Sequence, residues 1–237
     1  MKTAILTGAS KGIGLAIAKR LISMDYKVYG IARSFKNTEF THENFIRIDC
    51  DVLNTNELQR IIKQIESEET EINLLVNNAG VGFFAPHEQL KIDDIQTMIR
   101  TNLEAPLVLC KLLLRALKKS RGTIISISSI TAKKISTHGC AYASSKAGLS
   151  HFSSSLFEEV RKYGVKVAVV HPDITSSNFY DNLDFTYDNY ADAVLLEEQT
   201  ADAVEYILGC SENMVVNDIT IRPQINRIKR KPPVSEK

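Results

Sequence analysis

The sequence predicts an α/β protein in which helices cover both faces of one parallel, doubly wound sheet. Short β-branched or apolar runs alternate with longer amphipathic stretches along almost the whole chain. The short runs contain few polar residues, as expected of strands that are covered on both faces. Regular alternation of this kind favours a parallel sheet with right-handed crossovers. No linker rich in Gly, Pro or Ser divides the chain, so we expect one domain over residues 1–223.

The apolar runs predict seven strands, because each is short, rich in β-branched residues and bounded by polar or turn residues. The predicted strands cover residues 3–7, 27–32, 45–49, 74–77, 122–128, 165–171 and 214–221.

The amphipathic stretches predict helices between these strands. In the first of them, Ile13, Ile17, Leu21 and Met24 recur at spacings of four and three, which places them on one face. The predicted helices cover residues 13–24, 54 or 55 to 68, 92–119, 141–162 and 200–208. The third is expected to break near Pro106, because proline has no backbone N–H to donate.

Two segments fall outside the alternation. Residues 173–197 form a loop of about 25 residues, and loops of that length inside a domain are often active-site lids. Residues 224–237 carry the basic run RIKRKPP, a composition typical of a flexible, solvated tail. A targeting or docking role for this tail is the alternative.

Composition places the chain among ordinary globular proteins, with 44% hydrophobic and 24% charged residues. A net charge of +1 argues against a nucleic-acid or membrane partner. No run approaches about 20 apolar residues, and the N-terminus does not resemble a signal peptide. The cysteines, Cys50, Cys110, Cys140 and Cys210, are widely spaced, which fits a reduced, cytoplasmic protein. No metal site is predicted.

The first predicted strand leads into the turn TGASKGIG at residues 7–14, and a predicted helix follows at once. This is the context of a dinucleotide-binding turn. Gly8 allows a tight exit from the strand, Gly12 allows close approach of a pyrophosphate, and Gly14 allows close packing of helix on sheet. Ser10, Lys11 and Ile13 lie between these glycines and are expected to contact the same cofactor. A glycine-rich turn without a ligand is the alternative.

The end of the second predicted strand favours NADP(H) over NAD(H). NAD-binding proteins usually place an acid there for the ribose hydroxyls, whereas this chain has Arg33 and Ser34. A guanidinium can hold a 2′-phosphate, and Lys11 adds a second cation. The alternative is that both cations are solvated surface charges. Asp51 could accept a hydrogen bond from the adenine amino group, or serve in a turn or helix cap.

Tyr142 and Lys146 are four residues apart in a predicted helix and therefore share a face. A nearby ammonium favours the phenolate, so Lys146 is expected to lower the pKa of Tyr142 toward neutrality. A tyrosine of that kind can exchange a proton with a carbonyl or an alcohol.

Together these motifs resemble the short-chain dehydrogenase/reductase family. The resemblance rests on TGASKGIG at 7–14, Asp51-Val52, NNAG at 77–80, Asn102, Ser128-Ser129 and YASSK at 142–146, and it covers residues 1–222. It implies a Rossmann-type sheet of about seven strands, a nicotinamide cofactor and a cytosolic homodimer or homotetramer. It also implies a catalytic set of Asn102, Ser129, Tyr142 and Lys146.

The resemblance assigns a role to each member of this set. Tyr142 would be the general acid in reduction and the general base in oxidation, and Lys146 would lower its pKa and hold the nicotinamide ribose. Ser129 would bond the substrate oxygen; it is preferred to Ser128 because it lies 13 residues before Tyr142. Asn102 would hold a water in a proton relay to Lys146.

The resemblance also implies further cofactor contacts. Val52 would lie beside the adenine together with Asp51. Asn78, Ala79 and Gly80 would line the side of the adenine ribose. Pro172, Ile174 and Ser177 would lie near the nicotinamide. Asp173 stands where the family usually has glycine, which would strain the chain if that position required a positive φ.

Aromatic and apolar residues near these motifs are candidates for the substrate pocket, with ordinary packing as the alternative. The candidates are Phe83, Phe84, Ile130, Ile135, His138, Phe179, Tyr180 and Leu183. His138 could equally be a solvated loop histidine. The chain end at 215–223 is unlike that of ketoacyl reductases and closer to that of small hydroxy-acid and carbonyl reductases.

The predicted function is therefore an NADP(H)-dependent oxidoreductase that interconverts a carbonyl and an alcohol, with a small 3-hydroxy acid as an alternative substrate class. The rival is a cofactor-sensing protein without turnover, for which Asp173 is the best support.

Overall fold

A parallel sheet of seven strands forms the centre of the computed structural model, which describes residues 1–181, 183–188 and 190–231. The strands are β1 (Lys2–Thr7), β2 (Tyr26–Ala32), β3 (Phe45–Asp49), β4 (Leu74–Asn77), β5 (Thr123–Ile127), β6 (Lys166–Pro172), β7 (Phe185–Tyr187), β8 (Asp218–Ile221) and β9 (Ile228–Arg230). The main sheet has the order β3-β2-β1-β4-β5-β6-β8, and all its neighbours are parallel. The predicted Rossmann-type fold class is therefore confirmed.

Helices cover both faces of this sheet. They are α1 (Gly12–Ser23), α2 (Thr55–Glu68), α3 (Ile92–Ile99), α4 (Ala105–Ser120), α5 (Cys140–Val160) and α6 (Glu197–Leu208). One apolar core lies between the sheet and α1 with α6, and a second lies between the sheet and α2, α4 and α5. None of the helices in the described part of the chain is long and apolar enough to cross a membrane.

The helical segment between β4 and β5 is interrupted close to the predicted place. A π-helical turn, Arg100–Glu104, joins α3 to α4. Pro106 comes two residues after this turn in a continuous helical segment, and its missing N–H removes one main-chain hydrogen bond there. The interruption therefore precedes the proline and places Asn102 in the irregular turn.

The predicted loop and tail meet in a second small sheet. β7 belongs to the loop and pairs antiparallel with β9, which belongs to the segment predicted to be a flexible tail. Lys231 extends this contact, because its ammonium donates to the carbonyls of Tyr180 at 2.5 Å and Asp181 at 3.0 Å. Residues 228–231 are therefore hydrogen-bonded to the loop, while the flexibility of the tail stays a prediction. Residues 232–237 lie outside the described part.

The strand order reverses beside β1, since β2 lies on one side of it and β4 on the other. The loops that follow β1 and β4 consequently leave the sheet in opposite directions and open a crevice at the carboxyl edge. The loops after β5 and β6 begin at the same carboxyl edge of the sheet.

Candidate active site

One cleft of about 1860 Å³ runs along the carboxyl edge of the sheet. Most of the predicted cofactor and substrate residues border it, whereas Asn102 lies behind it and the pocket candidates Ile135 and Leu183 are not part of its wall. The bordering predicted residues are Gly8, Ser10, Lys11, Gly12, Ile13, Gly14, Arg33, Ser34, Asp51, Val52, Asn78, Ala79, Gly80, Ser129, Ile130, His138, Tyr142, Lys146, Pro172, Ile174, Ser177, Phe179 and Tyr180. The motifs, which are far apart in sequence, thus meet in one place.

The glycine turn has a geometry that few other residues could adopt. Gly8 and Gly12 have φ of +67° and +62°. A Cβ on Gly14 would lie 2.0 Å from the carbonyl oxygen of Gly8, so the helix packs on the turn without room for a side chain. The amide of Asn78 donates to the carbonyls of Thr7 and Gly8, which holds the turn against the end of β4.

The start of α1 suits an anion. Within the described residues no side chain caps it, and its first turn contains no acid. The N–H groups of that turn and the positive end of the helix dipole therefore face the cleft without competition from a carboxylate of the helix itself. These features fit the pyrophosphate of a dinucleotide.

The loop after β2 folds back on the glycine turn, since the Thr38 hydroxyl donates to the carbonyl of Ser10 at 2.6 Å. This contact places the exposed Arg33 at the cleft. Lys11 lies 3.9 Å from the carboxylate of Asp181, in an exposed ion pair across the cleft. The Asp51 carboxylate accepts from the N–H of Leu53 at 3.0 Å, which is the turn role considered as an alternative, although Asp51 still borders the cleft.

Ser129, Tyr142 and Lys146 lie together at the other end of the cleft. Ser129 follows β5, and its hydroxyl is close enough to the Tyr142 phenol to favour the phenolate. The neighbouring Ser128 has a different role, because its hydroxyl donates to the Lys146 carbonyl at 3.0 Å and contacts Ser150 at 2.9 Å. The geometry therefore fits Ser129, rather than Ser128, as the hydroxyl that faces a substrate.

Burial controls the protonation of this pair. Tyr142 is 7% exposed, and burial raises its pKa above the usual value despite the opposing Ser129 hydroxyl. Burial lowers the pKa of Lys146 to about 8. The Lys146 ammonium donates to the carbonyl of Ile127 at 2.9 Å and lies 5.9 Å from the centre of the tyrosine ring. The pKa of Tyr142 thus moves in the direction opposite to the predicted one, because desolvation outweighs the hydrogen bond from Ser129.

The lowered pKa of Lys146 predicts that the protein becomes more stable as the pH rises from about 8 to 10. In the unfolded chain this lysine keeps a pKa of about 10.4, so the unfolded state binds more protons in that window and the free energy of unfolding increases with pH. The rise across this window is on the order of 2 kcal/mol. Urea unfolding at pH 8, 9 and 10 should show this rise, and Lys146→Met should remove it. Parallel pH profiles for the two proteins would contradict the assignment.

Asn102 lies behind the cleft in the π-helical turn and is fully buried. Its side chain accepts from the N–H of Val81 and donates to the Val81 carbonyl, both at 2.9 Å, and it also donates to Ser145 at 3.0 Å. A Cβ on Gly80 would lie 3.3 Å from the Lys146 ammonium and 3.4 Å from the Asn102 amide oxygen. Asn102 therefore braces the loop beside Lys146, and its part in a water relay stays a prediction.

Asp173 occupies the usual glycine position without strain. It is not among the residues with positive φ, and its side chain is 4% exposed. The carboxylate accepts from Arg222 at 3.0 Å and from the N–H of Ile174 at 3.0 Å, and it lies 3.6 Å from the Lys134 ammonium. The charge thus has three compensating partners and links the loop after β5, the loop after β6 and the end of β8.

Aromatic rings close the substrate end of the cleft. Phe84 and Phe179 pack on Tyr142, with ring centres 5.2 and 5.6 Å from it, and Phe179 also packs on Tyr180 at 5.4 Å. Phe185 of β7 packs on Phe84 at 5.2 Å. These rings exclude water from the phenol, which is the physical reason for its raised pKa.

The other predicted wall residues differ in their placement. Ile135 is 97% exposed and, like Leu183, is not part of the cleft wall. His138 is exposed, has a φ of +61° and borders the cleft. The Ser177 hydroxyl accepts a hydrogen bond from the N–H of Phe179 and so caps the short helical turn Asn178–Tyr180.

Several bordering residues were not identified from the sequence. Lys134, Phe185, Ile228 and Arg230 line the cleft. A Cβ on Gly12 would lie 3.4 Å from the carboxylate of Glu197, whose pKa is raised mainly by burial. The alternation in Phe185-Thr186-Tyr187 was a possible sign of β7, but no local pattern indicates that the chain end returns to it.

Comparison with known proteins agrees with this geometry. The family model described as short chain dehydrogenase matches residues 2–187. "Carbonyl reductase family member 4" from Xenopus laevis is 34% identical over 191 residues, which cover 77% of this chain and 81% of that protein. The "3-oxoacyl-[acyl-carrier-protein] reductase FabG" of Salmonella typhimurium is 37% identical over 176 residues, which cover 72% of each chain.

Solved structures show the same fold. A metagenomic short-chain oxidoreductase in complex with NADP is 28% identical with a TM-score of 0.79, and the match covers 94% of this chain and 98% of that one. An alcohol dehydrogenase from the archaeon Thermococcus sibiricus, complexed with 5-hydroxy-NADP, has a TM-score of 0.87 at 24% identity over 96% of this chain and 98% of that one. With its cleft, its motifs and these relatives, the chain belongs to the short-chain dehydrogenase/reductase family of oxidoreductases.

Proposed function

We propose that the protein is an NADP(H)-dependent oxidoreductase that interconverts a carbonyl and an alcohol, with Tyr142 as general acid and base. The observation that carries the proposal is the meeting of Ser129, Tyr142 and Lys146 at one end of a cleft whose other end is the glycine turn.

A bound nicotinamide supplies the hydride, and the protein supplies position and protons. During reduction, negative charge grows on the substrate oxygen. The hydroxyls of Ser129 and Tyr142 are the donors available to it, and a donor of this kind contributes about 10²–10³ in rate. The raised pKa keeps the Tyr142 phenol protonated, which is the form that gives a proton to the oxygen. The Lys146 ammonium, held by the Ile127 carbonyl, lies at the same end of the cleft.

The preference for NADP(H) rests on Arg33. It is exposed at the end of β2, borders the cleft, and has no ion-pair partner among residues 1–181, 183–188 and 190–231. Its guanidinium is therefore available to a 2′-phosphate. Lys11 is the second cation on this side, although it also faces Asp181.

Arg33→Ala is expected to weaken NADPH binding by about 10- to 100-fold, because charge-assisted hydrogen bonds to the phosphate are lost. NADH binding should stay unchanged. The measurement is fluorescence titration with both cofactors. Lys36→Ala, an exposed cation of the same loop that does not border the cleft, serves as the matched control. Equal affinities for the two cofactors, or an unaltered NADPH affinity in the variant, would refute the NADP(H) preference.

The substrate is proposed to be a small molecule with a partly apolar body, since Phe84 and Phe179 pack on Tyr142 and Phe185 packs on Phe84 at the same end of the cleft. Two of the relatives are named carbonyl and 3-oxoacyl reductases. NADPH oxidation should therefore be screened against aldehydes, ketones, quinones, 3-oxo acids and 3-oxoacyl thioesters. Turnover of 3-oxo acids would support the alternative 3-hydroxy acid class.

The rival proposal, a cofactor sensor without turnover, drew its support from Asp173. The paired and unstrained carboxylate of Asp173 removes that support. Failure of every substrate class in the screen, together with tight NADPH binding, would favour the sensor. We also propose that the protein is a homodimer or homotetramer, and light scattering of the purified protein tests this oligomeric state. Its location is proposed to be cytoplasmic.

A further inference from the structure

His171 is a buried imidazole directly beneath the reacting end of the cleft. It lies near the end of β6, is fully buried and does not border the cleft. Its Nδ1 lies 3.2 Å from the main-chain oxygen of Ser129, and its Nε2 lies 3.1 Å from the carboxylate of Asp218. The catalytic roles described above do not use this side chain.

The contact between His171 and the Ser129 carbonyl lies one residue beyond the last main-chain hydrogen bond between the ends of β5 and β6. The N–H of Ser128 donates to the carbonyl of Val170 at 2.8 Å, which is the last main-chain bond between these segments in the described residues. Ser129 itself begins the short turn Ile130–Ala132, and its carbonyl accepts locally from the N–H of Ala132 at 3.0 Å. The imidazole is thus the group that connects the Ser129 main chain to β6.

Both partners of the imidazole are acceptors, whereas a neutral imidazole has one N–H to donate. The Asp218 carboxylate already has a cationic donor, because Lys133 pairs with it and also donates to Thr220 at 3.0 Å. Asp218 and Lys133 are the charged groups that face His171. Burial lowers the pKa of His171, so the ring is neutral at neutral pH. The Asp218 carboxylate is also 46% exposed, so Lys133 and water can satisfy it, whereas the buried Ser129 carbonyl has, among the described residues, the Ala132 N–H as its one other donor.

We propose that His171 is a positioning residue, which donates its Nδ1–H to the Ser129 carbonyl and so holds the Ser129 hydroxyl beside Tyr142. This inference rests on the proposed function, because Ser129 matters to turnover only if a carbonyl is reduced. It adds a residue outside the cleft to the determinants of the reaction.

A pair of isosteric variants separates positioning from packing. The amide nitrogen of Asn can occupy the place of Nδ1, and that of Gln the place of Nε2. His171→Gln should lower kcat by about 10- to 100-fold with an unchanged KM for NADPH, since a small displacement of a reacting group is costly. His171→Asn should stay within about threefold of the wild type, because the bond to Ser129 is retained. Equal losses in both variants, or no loss in either, would overturn the proposal.

A measurement on the unaltered protein decides the same point if a variant does not fold. Nitrogen-15 NMR of the imidazole should show the proton on Nδ1 at neutral pH. A proton on Nε2 alone would overturn the proposal, because Nδ1 would then present a lone pair to the carbonyl. This result does not depend on turnover, so it distinguishes failure of this inference from failure of the proposed function, which the substrate screen reports.

Discussion

Tyr142→Phe is expected to lower turnover by about 10²–10⁴, the usual contribution of a positioned general acid. The substitution removes only the hydroxyl. The phenyl ring fills the same space between Phe84 and Phe179, whose centres lie 5.2 and 5.6 Å from the tyrosine ring. NADPH affinity and the free energy of unfolding should therefore change little.

The comparison is made on initial rates of NADPH oxidation with the best substrate from the screen, together with cofactor titration and thermal unfolding. Tyr206→Phe is the matched control, because Tyr206 is 57% exposed on α6 and does not border the cleft. Normal turnover in Tyr142→Phe would show that the phenol is not the proton donor.

Gly14→Ala is expected to damage both stability and cofactor binding. The new Cβ would lie 2.0 Å from the carbonyl oxygen of Gly8 and 2.6 Å from the amide nitrogen of Asn78. Neither atom can move away easily. The Asn78 amide is hydrogen-bonded to the carbonyls of Thr7 and Gly8, and the Gly8 oxygen belongs to the main chain of the turn. The helix must move away from the sheet, at a cost of about 3 kcal/mol, the upper end of the range for overpacking.

The same movement shifts the N–H groups at the start of α1 away from the phosphate position. NADPH affinity should fall by about tenfold or more. Urea unfolding and NADPH titration measure the two effects. Gly209→Ala is the control, since its φ is −79° and its Cβ would lie 3.3 Å from the nearest atom. A stable Gly14→Ala protein with normal affinity would show that the close packing is not required.

Features that depend on local pattern were predictable. The predicted strands at 45–49 and 74–77 coincide with β3 and β4, because apolar runs between turn residues need only the neighbouring chain to be recognised. The glycine turn was equally clear, since its spacing and its strand–helix context lie within a few residues. The motif residues that follow the strands were expected to meet in one cleft because parallel strands end at one edge of the sheet.

Features that depend on contacts between distant segments were not predictable. β9 pairs with β7 across about 40 residues of chain, and three-residue edge strands carry almost no periodic signal. The resemblance to the family suggested backbone strain at Asp173, because the family usually has glycine there. In the structure Asp173 has no positive φ, and its negative charge is compensated by Arg222 and Lys134, which belong to two other segments.

By itself, then, the sequence determined the sheet, the glycine turn and the helical face shared by Tyr142 and Lys146, since each follows from spacing along the chain. The tertiary structure alone decided the direction of the Tyr142 pKa and the contact of His171 with Ser129. Both depend on which side chains exclude water and which acceptors meet a buried ring. Those contacts are made by residues that are far apart in sequence.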